Sequence, residues 1–422
     1  MEQKERALLV GVNLDNDADF RKSMEELKNL AEACGFDIAG QTEQNLKTVS
    51  NAFYIGSGKI KEVAELIDAA EADLVVFDNE LTPSQLRNLE KSLQCRILDR
   101  TSLILEIFAQ RARTREAKLQ VEVARLQYML PRLAGMNKAM DRRGGGGVGT
   151  VVRGSGEKKI VLDRRRIGQN IAAIKKELEI IARDRQTQRS KRNESGLPRV
   201  ALVGYTNAGK STLMNALVEL SQKPDSKKVF EKDMLFATLE TSVRNIVLPD
   251  NKAFLLSDTV GFVSRLPHDL VKAFRSTLDE VREADLLLHV VDASDPDCKR
   301  QIEVTEEILR QIGADMIPSV YVFNKADLTD MSIPMTRDDK TIYISAKEKK
   351  GLDELISLIG KHIFKSYVDC KMLIPYELGS IVSYLKENAN VKDISYESDG
   401  TRLTVECSKT DYNRYKQFAM DV

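Results

Sequence analysis

The stretch RVALVGYTNAGKSTLMNAL, residues 199–217, decides the fold. An apolar run with strand character, "VALVG", leads directly into G-x-x-x-x-G-K-S and then into a helical pattern. Strand, glycine-bounded loop and helix stand in the order a phosphate-cradling P-loop requires. In such a loop the backbone amides of Gly204, Tyr205, Thr206, Asn207, Ala208 and Gly209 turn inward around phosphate oxygens. Lys210 reaches the outer phosphates, and Ser211, with Thr212 behind it, opens the helix and offers a hydroxyl to a hard cation such as Mg2+. The spacing therefore predicts a mostly parallel α/β domain starting near residue 197.

Working downstream, "DTVGF" (258–262) places Asp258, Thr259, Val260 and Gly261 in the spacing of a γ-phosphate sensor. The position after that glycine often holds a glutamine that orients the attacking water. Here it is Phe262, which offers no side-chain donor or acceptor. "VFNKAD" (322–327) supplies base selection. Asp327 can accept from N1 and N2 of guanine, Asn324 can reach the N7/O6 side, and the Lys325 stem, with Ala326 beside it, can cover the ring. "ISAKE" follows, with Ser345, Ala346 and Lys347, and the Ala346 amide is placed to meet O6. Between P-loop and sensor, "LFATLET" (235–241) holds the threonine expected to close over the metal. Thr238 is preferred, flanked by Phe236, Ala237, Leu239 and Glu240, and Thr241 is the alternative. The catalytic set expected within the chain is Lys210, Thr238 and Gly261, with Ser211 and Thr238 on Mg2+. Of the histidines, His289 reads as core, His362 ends a helix, and His268 lies in the loop after Phe262.

Upstream, residues 1–100 alternate strand-like runs ("ALLVGV", "AFYIG", "ADLVVFD", "CRILD") with helical ones, which predicts a small parallel α/β domain. Its "YIGSGKIKE" puts Gly56-Ser57-Gly58-Lys59 before a helix, but the first glycine is too close to the lysine for a full phosphate loop. It reads as a tight turn. From 101 to 196, Leu119, Val123, Leu126, Leu130 and Leu133, then Ile167, Ile171, Ile174, Leu178 and Ile181, form heptad stripes that predict two antiparallel helices. Pro131 should kink or end the first. The tip between them is glycine-rich and basic. Residues 366–422 predict a small α+β domain with a helix near "YELGSIVSYLKENA" and strands at "VKDISYE" and "RLTVECS".

The 422 residues carry no net charge, yet basic residues far outnumber acidic ones between Arg111 and Arg192, so the remainder is acidic. Such asymmetry suggests a polyanionic partner. The N-terminus lacks an apolar leader and no run approaches the ~18 apolar residues of a membrane span. A soluble, cytoplasmic monomer is expected, with a membrane-associated fraction allowed. The five cysteines are scattered with no close pair, so free buried thiols are expected.

Taken together, "GYTNAGKST", "LFATLE" and "DTVGFVSRLPHDLVKAFRSTLDEV" resemble the HflX family of GTPases. "YIGSGKIKEV", "DRTSLILEIFAQRARTREAKLQVEVARLQYMLPRL" and "LDRRRI" are similar to that family's N-terminal domain and helical arm. The likeness spans residues 5–365, and the tail is similar to a short domain found in part of the family. One departure stands out. The family's tip usually reads like G-G-G-I-G-T-R-G-P-G-E-T, whereas this chain inserts Val151 and Val152 and has Ser155 in place of the proline. The resemblance implies a GTPase domain at 197–365, GTP/GDP exchange with Mg2+, and hydrolysis coupled to the large ribosomal subunit and its RNA. It also implies separation of stalled or idle ribosomes and, for some members, ATP use at the N-terminal region. Arg142, Arg143 and Arg153 are the candidate ribosome contacts at the tip. The competing readings are a free-standing nucleotidase with a merely solvated arm, and a GTP-binding scaffold that barely turns over.

Overall fold

The computed structural model describes residues 4–133, 153–221, 242–265 and 275–420, apart from positions 16, 195, 331, 332, 334 and 366. Phe236, Ala237, Thr238, Leu239, Glu240, Thr241, Arg142, Arg143 and His268 lie outside the described residues. The chain divides into two compact units. Of the described residues, one holds those up to 184 with 264 and 265, and the other holds those of 185–221, 242–263 and 275–420.

The first unit carries strands β1 (Arg6–Leu14), β2 (Asp37–Leu46), β3 (Leu74–Phe77) and β4 (Arg96–Asp99) in the order β2-β1-β3-β4. All pairings are parallel, Leu8 lying opposite Val75 and Val75 opposite Ile97. Helices α1 (Phe20–Cys34), α2 (Ser57–Ala70) and α3 (Pro83–Leu93) make the crossovers. Local signals set their ends. Gly35 closes α1 in the left-handed region at φ 96°, and Thr82 and Gln85 cap α3 reciprocally ahead of Pro83. Leu8, Val10, Ile55, Val63, Phe77 and Leu89 are buried together in the core.

One expectation fails here. "AFYIG" is not a strand: Ser50 and Tyr54 close a turn, Tyr54 stands at φ 69°, and Ile55 is spent on the core immediately before α2. The fourth strand is instead the polar run of β2, an edge strand with Thr42 as its single fully buried residue. Its weak alternation hides it from a pattern search.

Helix α4 (Arg100–Arg111) begins at a capping box between Asp99 and Ser102. Helix α5 (Arg115–Leu133) contains Pro131 two residues before its end, and α6 runs from Arg153 to Glu194. Along the described part of α6, Ile171 is buried and Ile167, Ile174, Leu178 and Ile181 are half-buried. Arg115 of α5 donates to Glu177 of α6 at 2.6 Å. The heptad stripe is thus the covered face of a long charged helix.

The carboxylates at the strand ends of this unit are engaged. Asp78, 1% exposed, accepts from Arg100 (2.8 Å), Ser23 (2.7 Å) and Arg265 (3.1 Å). Arg100 also bonds Glu26 and the Ser264 carbonyl. Buried Asp99 takes the Leu81 amide at 3.0 Å, Arg132 at 3.3 Å and the Tyr128 hydroxyl. Burial, then the neighbouring Asp99, pushes the Tyr128 phenol well above its usual range.

In the second unit β5 (Arg199–Val203), β6 (Ser242–Val247), β7 (Ala253–Asp258), β8 (Leu286–Asp292), β9 (Ser319–Asn324), β10 (Met335–Asp338) and β11 (Thr341–Tyr343) form a sheet ordered β10-β11-β9-β8-β5-β7-β6. Edge strands β6 and β10 are antiparallel to their neighbours and the rest are parallel. Leu286 through Val291 are all buried, as a strand covered on both faces must be. The helices are α7 (Lys210–Leu220), α8 (Arg275–Arg282), α9 (Cys298–Ile312) and α10 (Leu352–Ile363). Leu213 and Leu217 of α7 share a core with Leu355 and Ile359 of α10, packed on Val200, Leu202, Val290 and Val322.

Beyond it come β12 (Val368–Ile374), α11 (Gly379–Asn388), β13 (Asn390–Glu397), β14 (Gly400–Cys407), α12 (Lys409–Tyr415) and β15 (Ala419–Met420). These strands form an antiparallel sheet ordered β13-β14-β12-β15. All five cysteines are free, and the Sγ atoms of Cys370 and Cys407 are 3.9 Å apart. They are distant in sequence. The β12–β14 register, with Val368 opposite Cys407 and Cys370 opposite Val405, makes them diagonal neighbours.

Candidate nucleotide site

The site forms at the C-terminal ends of β5, β7, β8 and β9, the edge of a parallel sheet where ligands of open α/β folds bind. The loop leaving β5 needs its glycines. Gly209 stands at φ 91°, and a Cβ there would fall 2.2 Å from Asn324 Nδ2. Lys210 begins α7, buried, with its ammonium donating to the carbonyls of Gly204 (2.9 Å) and Tyr205 (2.7 Å). Burial lowers its pKa from 10.5 to about 8, against an opposing pull from Asp258. Desolvation outweighs the attraction because the carbonyls stabilise the cation only by dipoles. Phosphate oxygens at this loop would restore the cation's charge complement.

Ser211 donates to Asp258 Oδ2 at 2.7 Å, and Asp258 is fully buried at the end of β7. A hydroxyl beside a carboxylate is an oxygen-only donor set, suited to a hard divalent cation and not to a soft one. Thr259 ties the sensor strand to β5 by donating to the Leu202 carbonyl at 2.6 Å. Gly261 packs on the P-loop, where an added Cβ would lie 2.9 Å from Thr206 Cα and 3.1 Å from Lys210 Nζ. Phe262 is 2% exposed and extends the sheet locally. Its amide donates to Gly204 O (3.2 Å) and its carbonyl accepts from the Thr206 amide (2.8 Å).

Asn324 is a brace. Its Nδ2 donates to Ala208 O at 3.0 Å and its Oδ1 accepts the Ala346 amide at 2.9 Å, joining P-loop, β9 and the "SAK" turn. The Ala346 amide expected to meet guanine O6 is spent on this brace. Lys325, at φ 59°, is held by Asp292 Oδ2 at 2.6 Å. Asp292, ending "LLLHVVD", escaped the sequence reading, although an aspartate at a strand's ligand-facing end was the available signal. Asp327 Oδ1 is buried with no hydrogen-bond partner. Such an acceptor is costly unless a ligand supplies donors, and the N1 and N2 hydrogens of guanine fit that need. Ser345 and Lys350 close the turn carrying Ala346 and Lys347 by mutual backbone bonds of 3.1 and 3.0 Å.

His289 is 2% exposed and stacks near Tyr321 at 5.1 Å. Burial first, then the Lys210 charge, lowers its pKa to about 3, so the ring stays neutral and only weakly basic. His362 bonds the Asp339 carbonyl at 2.7 Å at the end of α10. Among the described residues no cluster of His, Cys, Asp and Glu forms a metal site, and no helix is long and apolar enough to cross a membrane.

Phosphate loop, γ-phosphate sensor and guanine-selective loop on one sheet edge define a P-loop GTPase. Three families match in series: "GTP-binding GTPase N-terminal" over residues 21–109, "GTP-binding GTPase Middle Region" over 111–192, and "50S ribosome-binding GTPase" over 199–325. The chain is 44% identical over 415 residues to GTPase HflX of Caldanaerobacter subterraneus subsp. tengcongensis, covering 98% of this chain and 94% of that protein. It is 37% identical over 416 residues to GTPase HflX of Escherichia coli strain K12, covering 97% and 95%. A GTP-binding protein from Sulfolobus solfataricus, solved in complex with GDP, aligns over 85% of this chain and 98% of that one at 25% identity and a TM-score of 0.44. The chain belongs to the HflX family of GTPases.

Proposed function

We propose that this chain binds GTP with Mg2+ at the 204–211 loop, hydrolyses it slowly alone, and is stimulated when it docks on the large ribosomal subunit to split stalled or idle ribosomes. The observation that carries the slow, partner-dependent part is Phe262. An apolar side chain occupies the usual water-orienting position, buried and tied by its backbone to Gly204 and Thr206. It anchors the sensor loop and supplies no group for the water.

The chain's other residues then divide the work. Lys210 and the loop amides hold the phosphates, Asp327 selects guanine with Asn324 bracing its loop, and Lys325 covers the base. Ser211 beside Asp258, with Thr238, would hold Mg2+, which neutralises charge on the phosphate oxygens when bound. Arg142, Arg143 and Arg153 at the arm tip would meet RNA phosphates, making association fall with salt. The basic excess between Arg111 and Arg192 supports that reading.

Single-turnover GTP hydrolysis with and without purified large subunits tests it. A rise of at least ~10-fold is expected, modest beside the ~10³–10⁵ that partner-supplied groups give. Fast turnover indifferent to subunits would favour a free-standing nucleotidase, and no turnover in either case a scaffold.

A further inference from the structure

Phe262 leaves the attacking water without its usual partner, and a neighbouring residue carries an unused group. Thr206 is 7% exposed, and its Oγ1 is buried with no hydrogen-bond partner. A hydroxyl in that state loses its hydration with nothing in return, which is unfavourable. Serine, threonine and asparagine hydroxyls or amides that cap turns do not leave such a deficit, so the loop gains nothing structural from this one.

Its position is specific. The point where a Gly261 Cβ would stand lies 2.8 Å from Thr206 Cγ2, 2.9 Å from Thr206 Cα and 3.1 Å from Lys210 Nζ. Thr206, the sensor glycine and the phosphate-binding lysine therefore converge on one small volume, at the γ-phosphate end of the loop. The Thr206 amide is fixed there by its 2.8 Å bond to the Phe262 carbonyl, so the residue cannot drift from the sensor loop without breaking that bond. Staggered χ1 wells lie 120° apart, so one rotamer step puts Oγ1 where Cγ2 now faces Gly261. Valine at 206 would match the shape with no orphaned hydroxyl.

We infer that the Thr206 hydroxyl is the side-chain group that orients the attacking water in place of the missing glutamine. This rests on the GTP reading of the site. The water donates a hydrogen bond to Oγ1, and its oxygen attacks the γ-phosphorus. The bond from phosphorus to the β–γ bridging oxygen breaks, and the water's proton leaves with the phosphate product. Thr206 transfers nothing, so GTP and water become GDP and phosphate with the hydroxyl unchanged. Phe262 keeps a role: its backbone sets Thr206, while its side chain keeps bulk solvent out.

The test uses the full chain and its Thr206→Val and Thr206→Ser variants, alone and with purified large subunits. Thr206→Val should lower single-turnover hydrolysis at least ~10-fold in both settings, within the range for a lost positioning group. GTP and GDP affinity by fluorescence titration should stay within ~3-fold. The melting temperature without nucleotide should hold or rise, because an unsatisfied hydroxyl is gone. Binding of GDP with aluminium fluoride, which mimics the in-flight phosphoryl group, should weaken. Thr206→Ser should restore both rate and analogue binding. Unchanged hydrolysis in Thr206→Val would overturn the inference, as would equal loss in both variants, which marks a packing role. If the unaltered chain binds GTP but Thr206→Val behaves like it, only the water assignment fails. If the unaltered chain fails to bind GTP, the site reading fails and the inference with it.

Discussion

Two turns in this chain deliver a Gly-Lys pair into a helix, and they treat the lysine in opposite ways. At the start of α2, Lys59 pairs with Glu62 at 2.5 Å, one turn along its own helix, while Gly56 donates to Gln44. At the start of α7, Lys210 is buried and donates to the loop carbonyls of Gly204 and Tyr205. The strand-end carboxylates show the same contrast. Asp78 and Asp99 in the N-terminal sheet are surrounded by Arg100, Arg132, Ser23 and backbone donors. In the GTPase sheet Asp327 keeps a buried oxygen without a partner. A parallel sheet edge can spend its polar groups on itself or hold them for a ligand. Stability favours the first and binding requires the second.

The largest effect expected from breaking this contrast is on the satisfied side. Asp78→Ala takes one of the two carboxylates from buried Arg100, and loss of one partner from a buried ion cluster costs about 3–5 kcal/mol. Chemical denaturation followed by hydrogen exchange should show the loss in the unit containing β1–β4. Retained protection there would mean that the cluster relaxes without cost.

Next comes the unsatisfied side. Lys210→Ala should reduce GTP turnover by ~10²–10³, the scale for removing one preorganised electrostatic group, whereas Lys59→Ala should leave turnover and melting temperature unchanged. Equal effects from the two lysines would erase the distinction drawn here.

Asp327→Asn replaces the waiting acceptor with an amide. GTP affinity should fall by roughly 10² or more and xanthosine triphosphate affinity should rise, since a site built for specific hydrogen bonds penalises their loss heavily. Unaltered GTP binding in a competition titration would reassign that loop.

The smallest effect is a proton. With Lys210 lowered to about 8 against 10.5 unfolded, the unfolded chain holds more protons between those values. Stability of the nucleotide-free protein should therefore rise with pH across that window from this group. Phosphates favour the charged form, so GTP binding at pH 8.5 should take up about three quarters of a proton and at pH 6.5 almost none from this lysine. Calorimetry in buffers of different ionisation enthalpy measures it, and equal uptake at both pH values would contradict the depressed pKa.

Much of this was legible in sequence because its causes are local. α1 ends where Gly35 dictates, α3 starts where Thr82-Pro83 dictates, and β5, β8 and β9 are largely apolar runs. β2 was not legible, because an edge strand needs few buried residues, and "AFYIG" misled because its apolar residues serve a turn that drops Ile55 into the core. The site divides the same way. Gly204 to Ser211, Asp258, Gly261 and Asp327 are recognisable because phosphate and guanine impose fixed residue types at fixed spacing.

What the sequence determined by itself, then, is the order of elements and the chemistry of each loop, since both depend on neighbours a few residues away. Tertiary structure alone decided which groups are spent and which are spare. Asn324 reaches Ala208 and Ala346 because β9 and β5 flank β8, and Cys370 meets Cys407 because β12 and β14 pair in one register. The Thr206 hydroxyl is left buried without a partner where the backbone after β7 pairs with the loop after β5. Each of these rests on strand order and register, which join residues far apart in the chain, and no local pattern records which distant donor will arrive.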